Sequence, residues 1–438
     1  MERIEITNIT NTGSRIEIRY SISSNLQEYF NPENIFWIEY SENISDIPQS
    51  ISVIPFVCNV LPIIWLTNSI LILPEIDEAF FENISRIKDG YKKMHPKLQF
   101  QGKIQALSVI RNEYITDGGN AAFFSGGIDA LTTLVCHRNE FPSLITLKGA
   151  DIKLDDTEGW NNVYHNTQQI TEQFNLPSPI YVSCNFRTFL FEGKLGNIVR
   201  ESDDGWWHGF QHGIGILGQA APISYKKHFK TIYIASSSTE ETKILLATIP
   251  NANNFSCASD PTIDNHVKFG STNIIHDQYE KNRQQKIQTI VNYCKKNKHE
   301  ITARVCWVSR GGKNCCECEK CIRTMFSLFA ENVSPKDYGF DFNNLQIEHS
   351  RDIVLNTLKT SPISLKADWL YITNRFRETG AYKNDYRINW IYRLQPLQAT
   401  VSLTYTEQIF KKLKRGQYVV LRIINSLRNI INLYLHKK

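Results

Sequence analysis

The sequence predicts an α/β fold with a mainly parallel sheet, and three observations carry that prediction. First, β-like and helical segments alternate after residue 116: Ser143–Lys148, Pro179–Cys184 and Lys230–Ser236 read as strands, Trp160–Phe174 and Phe210–Ala221 as helices. Second, Ala121–Phe124 is a short apolar run, Ser125-Gly126-Gly127 breaks it, and Ile128, Leu131, Leu134 and Val135 then recur at helical spacing. Third, Lys148-Gly149-Ala150-Asp151 and Ser236-Ser237-Ser238-Thr239-Glu240 each follow a strand. These loops therefore gather with Ser125–Gly127 beyond the carboxyl ends of the strands, where open α/β sheets bind ligands.

Composition bounds the rest. A chain of 438 residues, 42% hydrophobic and 11% aromatic, can bury a large core in two or three units. A net charge of +5 is too small for this length to imply nucleic acid by itself. The opening Met1-Glu2-Arg3-Ile4-Glu5-Ile6 is charged and strand-like, and no apolar run is long enough to span a bilayer, so the expected location is the cytoplasm. There, ten cysteines argue against a disulfide framework and for a metal site wherever cysteines cluster.

Four divisions follow in chain order. Residues 1–74 read as a small, mostly antiparallel β unit, with runs at Ile4–Ile6, Ile16–Tyr20, Ile35–Tyr40, Ile51–Val57 and Ile70–Leu73. In 75–115 a helix is expected from Pro74, a first-turn proline, to His95, with Pro96 as its stop; strand-like pieces at Leu98–Phe100 and Ile104–Ile110 follow. Residues 116–335 hold the alternating core, and 336–438 a helical, basic extension.

The break at Ser125-Gly126-Gly127 is where chemistry is expected. Two glycines permit positive φ and leave no Cβ between the amides and a ligand, so the N–H groups of Gly126, Gly127 and Ile128 can face one anion at the positive end of a helix. Ser125 adds a hydroxyl donor, and Asp129 can hold the loop by accepting its amides or can carry Mg²⁺. A plain turn between a core strand and a core helix is the alternative. Downstream, Gly205-Trp206-Trp207-His208-Gly209-Phe210-Gln211-His212 places aromatics and histidines beside glycines, as a planar-substrate pocket or a packed helix start does. His208 and His212 stand at a spacing zinc can use. Ser256–Asp264 reads equally as a substrate loop or a turn.

Cys306, Cys315, Cys318 and Cys321 follow the order C-x8-C-x2-C-x2-C. Two-residue gaps let thiolates converge, Gly311-Gly312 permits the return of Cys306, and four thiolates close a tetrahedral Zn²⁺ shell in the manner of a structural site. Unligated thiols or an iron–sulfur cluster are the rivals.

The loop resembles the Ser-Gly-Gly-x-Asp-Ser motif of the N-type ATP pyrophosphatases, the PP-loop superfamily, through Ser125, Gly126, Gly127 and Asp129. It departs at Ala130, where that family carries a hydroxyl; Thr132 or Thr133 stands near enough to substitute. With the downstream cysteines and then Arg323, residues 118–335 resemble the 7-cyano-7-deazaguanine synthase branch, although Cys316 replaces its usual glycine. The resemblance implies a HUP-type nucleotide-binding core that binds ATP and Mg²⁺ at Ser125, Gly126, Gly127, Ile128, Asp129 and Thr132, with Ser236 and Ser237 opposite. It implies Ser125 and Asp129 as catalytic residues and structural Zn²⁺ at Cys306, Cys315, Cys318 and Cys321. The implied activity is that of a carbon–nitrogen ligase: a carboxylate is activated as an adenylate with release of pyrophosphate, and ammonia or an amine converts it to an amide and onward to a nitrile. The additions at both ends suggest a substrate other than the free deazaguanine, such as a protein terminus, a tRNA or a polysaccharide precursor, entering near Trp206, Trp207 and Ser236–Glu240. A non-catalytic or partner-dependent ATP-binding assembly subunit and a deazaguanine synthase proper are the other readings.

The extension is rich in Trp369, Tyr371, Arg375, Arg377, Tyr382, Tyr386, Arg387, Trp390, Tyr392 and Arg393, a set that builds helix–helix interfaces or stacks on bases. From Lys411 to Lys438 there are eight Lys or Arg and no acid, with an apolar helical face from Val419 to Leu435. Such a segment docks on the protein, binds a partner protein or RNA, or lies on an anionic membrane, which would place the chain at a membrane periphery.

Overall fold

The computed structural model describes residues 2–202, 204–249 and 257–401. Apart from a two-stranded pair at Leu394–Gln395 and Thr400–Val401, the strands of the described residues are β1 (Arg3–Thr12), β2 (Arg15–Ile22), β3 (Ile35–Tyr40), β4 (Ile70–Asp77), β5 (Lys103–Ile110), β6 (Asn120–Phe123), β7 (Ser143–Lys148), β8 (Ile180–Cys184), β9 (Thr231–Ala235), β10 (Lys268–Phe269) and β11 (Thr272–Asp277). All eleven form one sheet in the order β10-β11-β9-β6-β7-β8-β3-β2-β1-β4-β5. The block β11-β9-β6-β7-β8 is parallel throughout. The expected α/β architecture with a mostly parallel sheet is what the chain adopts.

Within that block the chain runs from β6 outward through β7 to β8, then returns to place β9 on the other side of β6. The connections leaving β6 and β9 therefore diverge, and a crevice opens between their carboxyl ends, as at any switch point of an open parallel sheet. The Ser125–Gly127 loop leaves β6 there.

The N-terminal strands continue the same sheet. β1, β2 and β3 form an antiparallel meander, and β3 pairs antiparallel with β8 through Ile38–Cys184 and Tyr40–Val182. Beyond β1, β4 and β5 are again parallel to their neighbours.

Three local expectations are corrected. Ile51–Val57 is not a strand: it spans the end of one short helix, Gln49–Ser52, and the start of another, Ile54–Thr67. Every residue from Ile54 to Trp65 is buried, and a helix that is apolar all round shows no period by which to recognise it. Pro74 does not open a helix but lies inside β4. The β1 partnership ends at Ile72 and the β5 register passes over Pro74, so no neighbour asks Pro74 for an N–H; the helix Glu78–Met94 begins four residues later, where the Asp77 carboxylate accepts from the Phe80 amide at 3.0 Å. Leu98–Phe100 is a turn and coil, not a strand.

Two cores flank the sheet. One packs Ile54–Thr67 and Glu78–Met94 against it, with Phe56, Trp65, Phe80 and Tyr91 fully buried; each such side chain contributes about 1.5–3 kcal/mol. The other joins the helices Ile128–His137, Arg283–Asn297 and Glu319–Ala330 to the C-terminal helices Asn344–Thr360 and Ile363–Thr379. Phe326 meets Trp369 and Trp390 at ring distances of 5.9 and 5.2 Å, and Arg375 donates twice to Glu331, at 2.8 Å each. These aromatic and arginine residues build helix–helix contacts. The basic stretch Lys411–Lys438 lies outside the described residues, among which no helix is long and apolar enough to cross a membrane.

Candidate functional site

At the switch point Gly126 adopts φ +74° and Gly127 extended backbone. Gly127 is the N-cap of Ile128–His137, and no side chain caps that helix. Its first amides consequently keep their positive potential free for an anion. Ser125 is exposed beside them, its Oγ 3.4 Å from the Gly127 nitrogen that donates to it.

The loop is held from a distant part of the chain. The Arg304 amide donates to the Gly126 carbonyl at 2.8 Å, and the Arg304 Nε to the Ser125 carbonyl at 3.2 Å. Its guanidinium is almost wholly buried and reaches the Cys306 carbonyl at 3.3 Å and Asp151 at 4.0 Å.

Asp129 departs from both expected roles. Its oxygens accept neither loop amides nor stand free for a cation; one pairs with Lys286 at 3.2 Å and the other with Arg283 at 3.3 Å. Burial favours the neutral acid, but Lys286, Arg283 and Lys320 outweigh it and hold the carboxyl down at about 2. Lys286 also donates to the Ser236 carbonyl, which ties the loop after β9 to the helix after β6. Arg323, on the same side, pairs with Glu319 at 3.2 Å and with Asp368 of the C-terminal helices.

Loop and sheet edge enclose a cavity of ≈ 200 Å³ lined on one side by Ser125, Asp129, Ala130, Arg304 and Lys320, and on the other by Asp151, Trp207, His212 and Ser237. Lys320 carries no carboxylate within ion-pairing distance among the described residues, and burial holds its ammonium below the ordinary range. The cavity, beside the uncapped helix start, thus offers a hydroxyl and two cations to a polyanion, and one half-exposed carboxylate, Asp151, to a cation.

Some expected contributors face elsewhere. Thr132 is fully buried and its hydroxyl is spent on the Ile128 carbonyl at 2.8 Å and the Lys286 carbonyl at 3.3 Å; Thr133 is buried as well. Ser236 is buried with its hydroxyl donating to Ser238, so Ser237 alone of that pair reaches the cavity. Trp206 packs in the core against Phe210 at 5.7 Å, leaving Trp207 at the cavity. His208 pairs with Asp204 at 3.0 Å, and His212 with the Cys257 sulfur at 3.0 Å, so the two histidines do not converge on a metal. Ser256 lies outside the described residues; the following turn is fixed by Asp260, which caps Pro261–Asp264.

The four cysteines do converge. The sulfurs of Cys306, Cys315, Cys318 and Cys321 lie within 4.8 Å of one another. Cys306–Cys318 and Cys315–Cys321 are each 3.9 Å apart, close to the edge of about 3.8 Å of a tetrahedron with metal–sulfur bonds of 2.3 Å. Amides of Ser309 and Cys318 donate to the Cys306 and Cys315 sulfurs at 3.4 and 3.2 Å, which stabilises thiolates. Cys316, at φ +58°, is turned away with its sulfur on the Asn314 carbonyl. The cluster can hold a metal ion, and its donor set suits a closed structural site.

Arg283, Lys286, Arg304 and Lys320 are the site residues the sequence did not single out. Lys320 had a signal, its place between two cysteines of the cluster; the others resemble ordinary surface charges. Comparison with family models, with curated proteins and with solved structures found no match for this chain.

Proposed function

We propose that the chain binds ATP with its phosphates on the Ser125–Gly127 loop and transfers AMP to a carboxylate, releasing pyrophosphate. The observation that carries this reading is the uncapped helix start at Gly127, placed at the switch point of a parallel sheet and flanked by Arg304 and Lys320. Fixed N–H dipoles and cations there meet charge developing on a departing pyrophosphate. Asp151 would hold Mg²⁺ better than Asp129, which is committed to two cations, and the ion would offset phosphate charge there. Trp207 supplies an aromatic face for a planar group, and the adenylate would then yield to ammonia or an amine, giving an amide and, with a second activation, a nitrile. Zn²⁺ at Cys306, Cys315, Cys318 and Cys321 would hold the segment that delivers Arg304 and Lys320.

In this reading the N-terminal strands and the C-terminal extension serve a larger acceptor than a free deazaguanine. A second reading has one observation in its favour: Ala130 stands in the cavity wall where the resembled family carries a hydroxyl. The chain would then be an ATP-binding subunit that turns over only with a partner.

ATP–pyrophosphate exchange by the full chain with Mg²⁺ and 7-carboxy-7-deazaguanine, or with cell lysate as the source of carboxylate, tests the first reading. Exchange in the isolated chain supports it. ATP binding without exchange until a partner is added favours the second, and no ATP binding, or release of phosphate alone, sinks both.

A further inference from the structure

We propose that Cys257 and His212 are a nucleophile and its base, and that Cys257 takes the acyl group from the adenylate as a thioester before the amine receives it. The proposal rests on the adenylation reading above for its acyl donor.

The geometry is built rather than incidental. The Cys257 sulfur lies 3.0 Å from His212 Nδ1, and His212 lines the cavity. Two donors face the same sulfur: the Ser259 amide at 3.4 Å and the hydroxyl of Ser237, itself a cavity residue. A thiol with a base on one side and two hydrogen-bond donors on the other is arranged to become a thiolate. Burial pushes the Cys257 thiol up to about 12 and holds the His212 imidazole down, so the resting pair is neutral and the proton moves only as a bond forms.

Three backbone features fix the pair. Residues Trp207–Gln211 form a π-helical turn immediately before His212, an irregularity that recurs at functional sites because it re-aims a side chain. The Ala258 amide donates to the His208 carbonyl of that turn at 2.8 Å. Gly213 lets the next segment approach: a Cβ there would stand 2.8 Å from the Ala258 carbonyl oxygen and 2.9 Å from the Ser259 Cα. Deeper, Asp264 accepts from Ser259 at 2.6 Å and contacts His276 at 2.8 Å, which pins the turn that carries Cys257.

In the first step the Cys257 sulfur attacks the acyl carbon, its proton passes to His212 Nδ1, the C–S bond forms and the C–O bond to AMP breaks. In the second a neutral amine attacks, C–N forms and C–S breaks. The thiolate recovers the proton from His212, and the proton shed by the amine goes to solvent. No oxidant or reductant is required.

Two measurements on the full chain test the pair. The first needs no substrate: iodoacetamide at pH 7.5 with peptide mapping should label Cys257 at least tenfold faster than the buried Cys58 and Cys184, and His212→Asn should remove that advantage. The second uses ATP, Mg²⁺ and whichever carboxylate source supports exchange, 7-carboxy-7-deazaguanine or cell lysate, with intact-protein mass spectrometry. A hydroxylamine-labile adduct is expected on wild type, a hydroxylamine-resistant one on Cys257→Ser, and none on Cys257→Ala, which should keep ATP–pyrophosphate exchange while losing at least 100-fold in amide formation. Equal labelling of Cys257, Cys58 and Cys184 would overturn the proposal, as would amide formation by Cys257→Ala at the wild-type rate. Absence of exchange in wild type with both the free acid and cell lysate as carboxylate source would count against adenylation itself, and the labelling experiment would still decide whether Cys257 is an activated thiol.

Discussion

The Arg304 amide donates to the Gly126 carbonyl at 2.8 Å, and two residues later the same stretch of chain becomes the first of the four clustered cysteines. The Ser125–Gly127 loop and the cysteine cluster are therefore one mechanical unit, although Gly126 and Arg304 stand 178 positions apart in the chain. Asn314 reinforces the link by donating to the Ala303 carbonyl at 2.7 Å while accepting from the Val305 amide at 2.9 Å.

Loss of the metal should thus be felt at the loop. Cys318→Ser removes one of four ligands, and structural zinc sites are worth roughly 10–16 kcal/mol in isolated peptides, of which a packed domain shows only part. We expect a fall in Tm of at least about 10 °C together with loss of nucleotide binding. Zinc content, Tm and ATP affinity measured on the same preparation check this; a variant that loses zinc yet binds ATP as wild type does would separate the two sites.

Lys320 and Arg304 should act differently on anion binding. Lys320 lines the cavity without an ion-pair partner among the described residues, so Lys320→Ala should raise the Kd for ATP or pyrophosphate about 10- to 100-fold, the loss of one charge-assisted contact, with little change in Tm. Arg304→Ala should weaken binding comparably and also lower Tm, because its side chain holds the Ser125 and Cys306 carbonyls. Calorimetric titration with pyrophosphate beside a thermal melt distinguishes the pair.

The far end of the loop helix carries a pH-dependent lock. His137 contacts Asp277 at 3.0 Å and Glu140 at 2.7 Å. Its hydrogen bond to Asp277, against a smaller opposing effect of burial, raises it to about 9. A raised histidine stabilises the fold fully below its unfolded value of about 6.5, and that contribution is lost as pH rises through about 9. The stability difference between wild type and His137→Gln should be about 2 kcal/mol at pH 6 and close to zero at pH 10, read by urea denaturation. A difference that grows with pH would contradict the assignment.

What was legible in the sequence was whatever is encoded over a short span. Ser125–Asp129 carries its strand, breaker and helix within a few residues, and the spacing of Cys306, Cys315, Cys318 and Cys321 carries its own geometry. The helix Ile54–Thr67 was illegible because uniform burial erases the period that separates helix from strand. Lys286 and Arg283 were illegible for another reason: each owes its role to Asp129, 157 and 154 residues away, and a lysine on a helix ordinarily reads as solvated surface. The same long-range pairing reassigned Asp129 from cation ligand to charge partner. Ser236 and Ser237 were indistinguishable as neighbours in a serine run, since only the direction of the chain after β9 decides which hydroxyl turns inward.

The two loop glycines should both lose nucleotide binding on change to alanine, but only one of them should lose stability as well. Gly126 has φ +74°, and a Cβ there would lie 3.1 Å from the Asn166 Nδ2; an alanine would carry about 1–2 kcal/mol of backbone strain and crowd the site of the Arg304 clamp. Gly126→Ala should therefore lower stability and nucleotide binding together. Gly127 has extended backbone, and its added Cβ would meet only the Ser125 Oγ at 3.3 Å and the Arg304 carbonyl oxygen at 3.7 Å. The fold should tolerate Gly127→Ala, with Tm within a few degrees of wild type, because a residue with this φ needs no left-handed conformation. Yet the methyl would stand beside the uncapped amides and keep a phosphate oxygen from approaching them, so ATP affinity should fall at least about tenfold. Melting and ATP titration of both variants decide it: unchanged ATP binding by a folded Gly127→Ala would mean that the helix start is a turn and not a phosphate site.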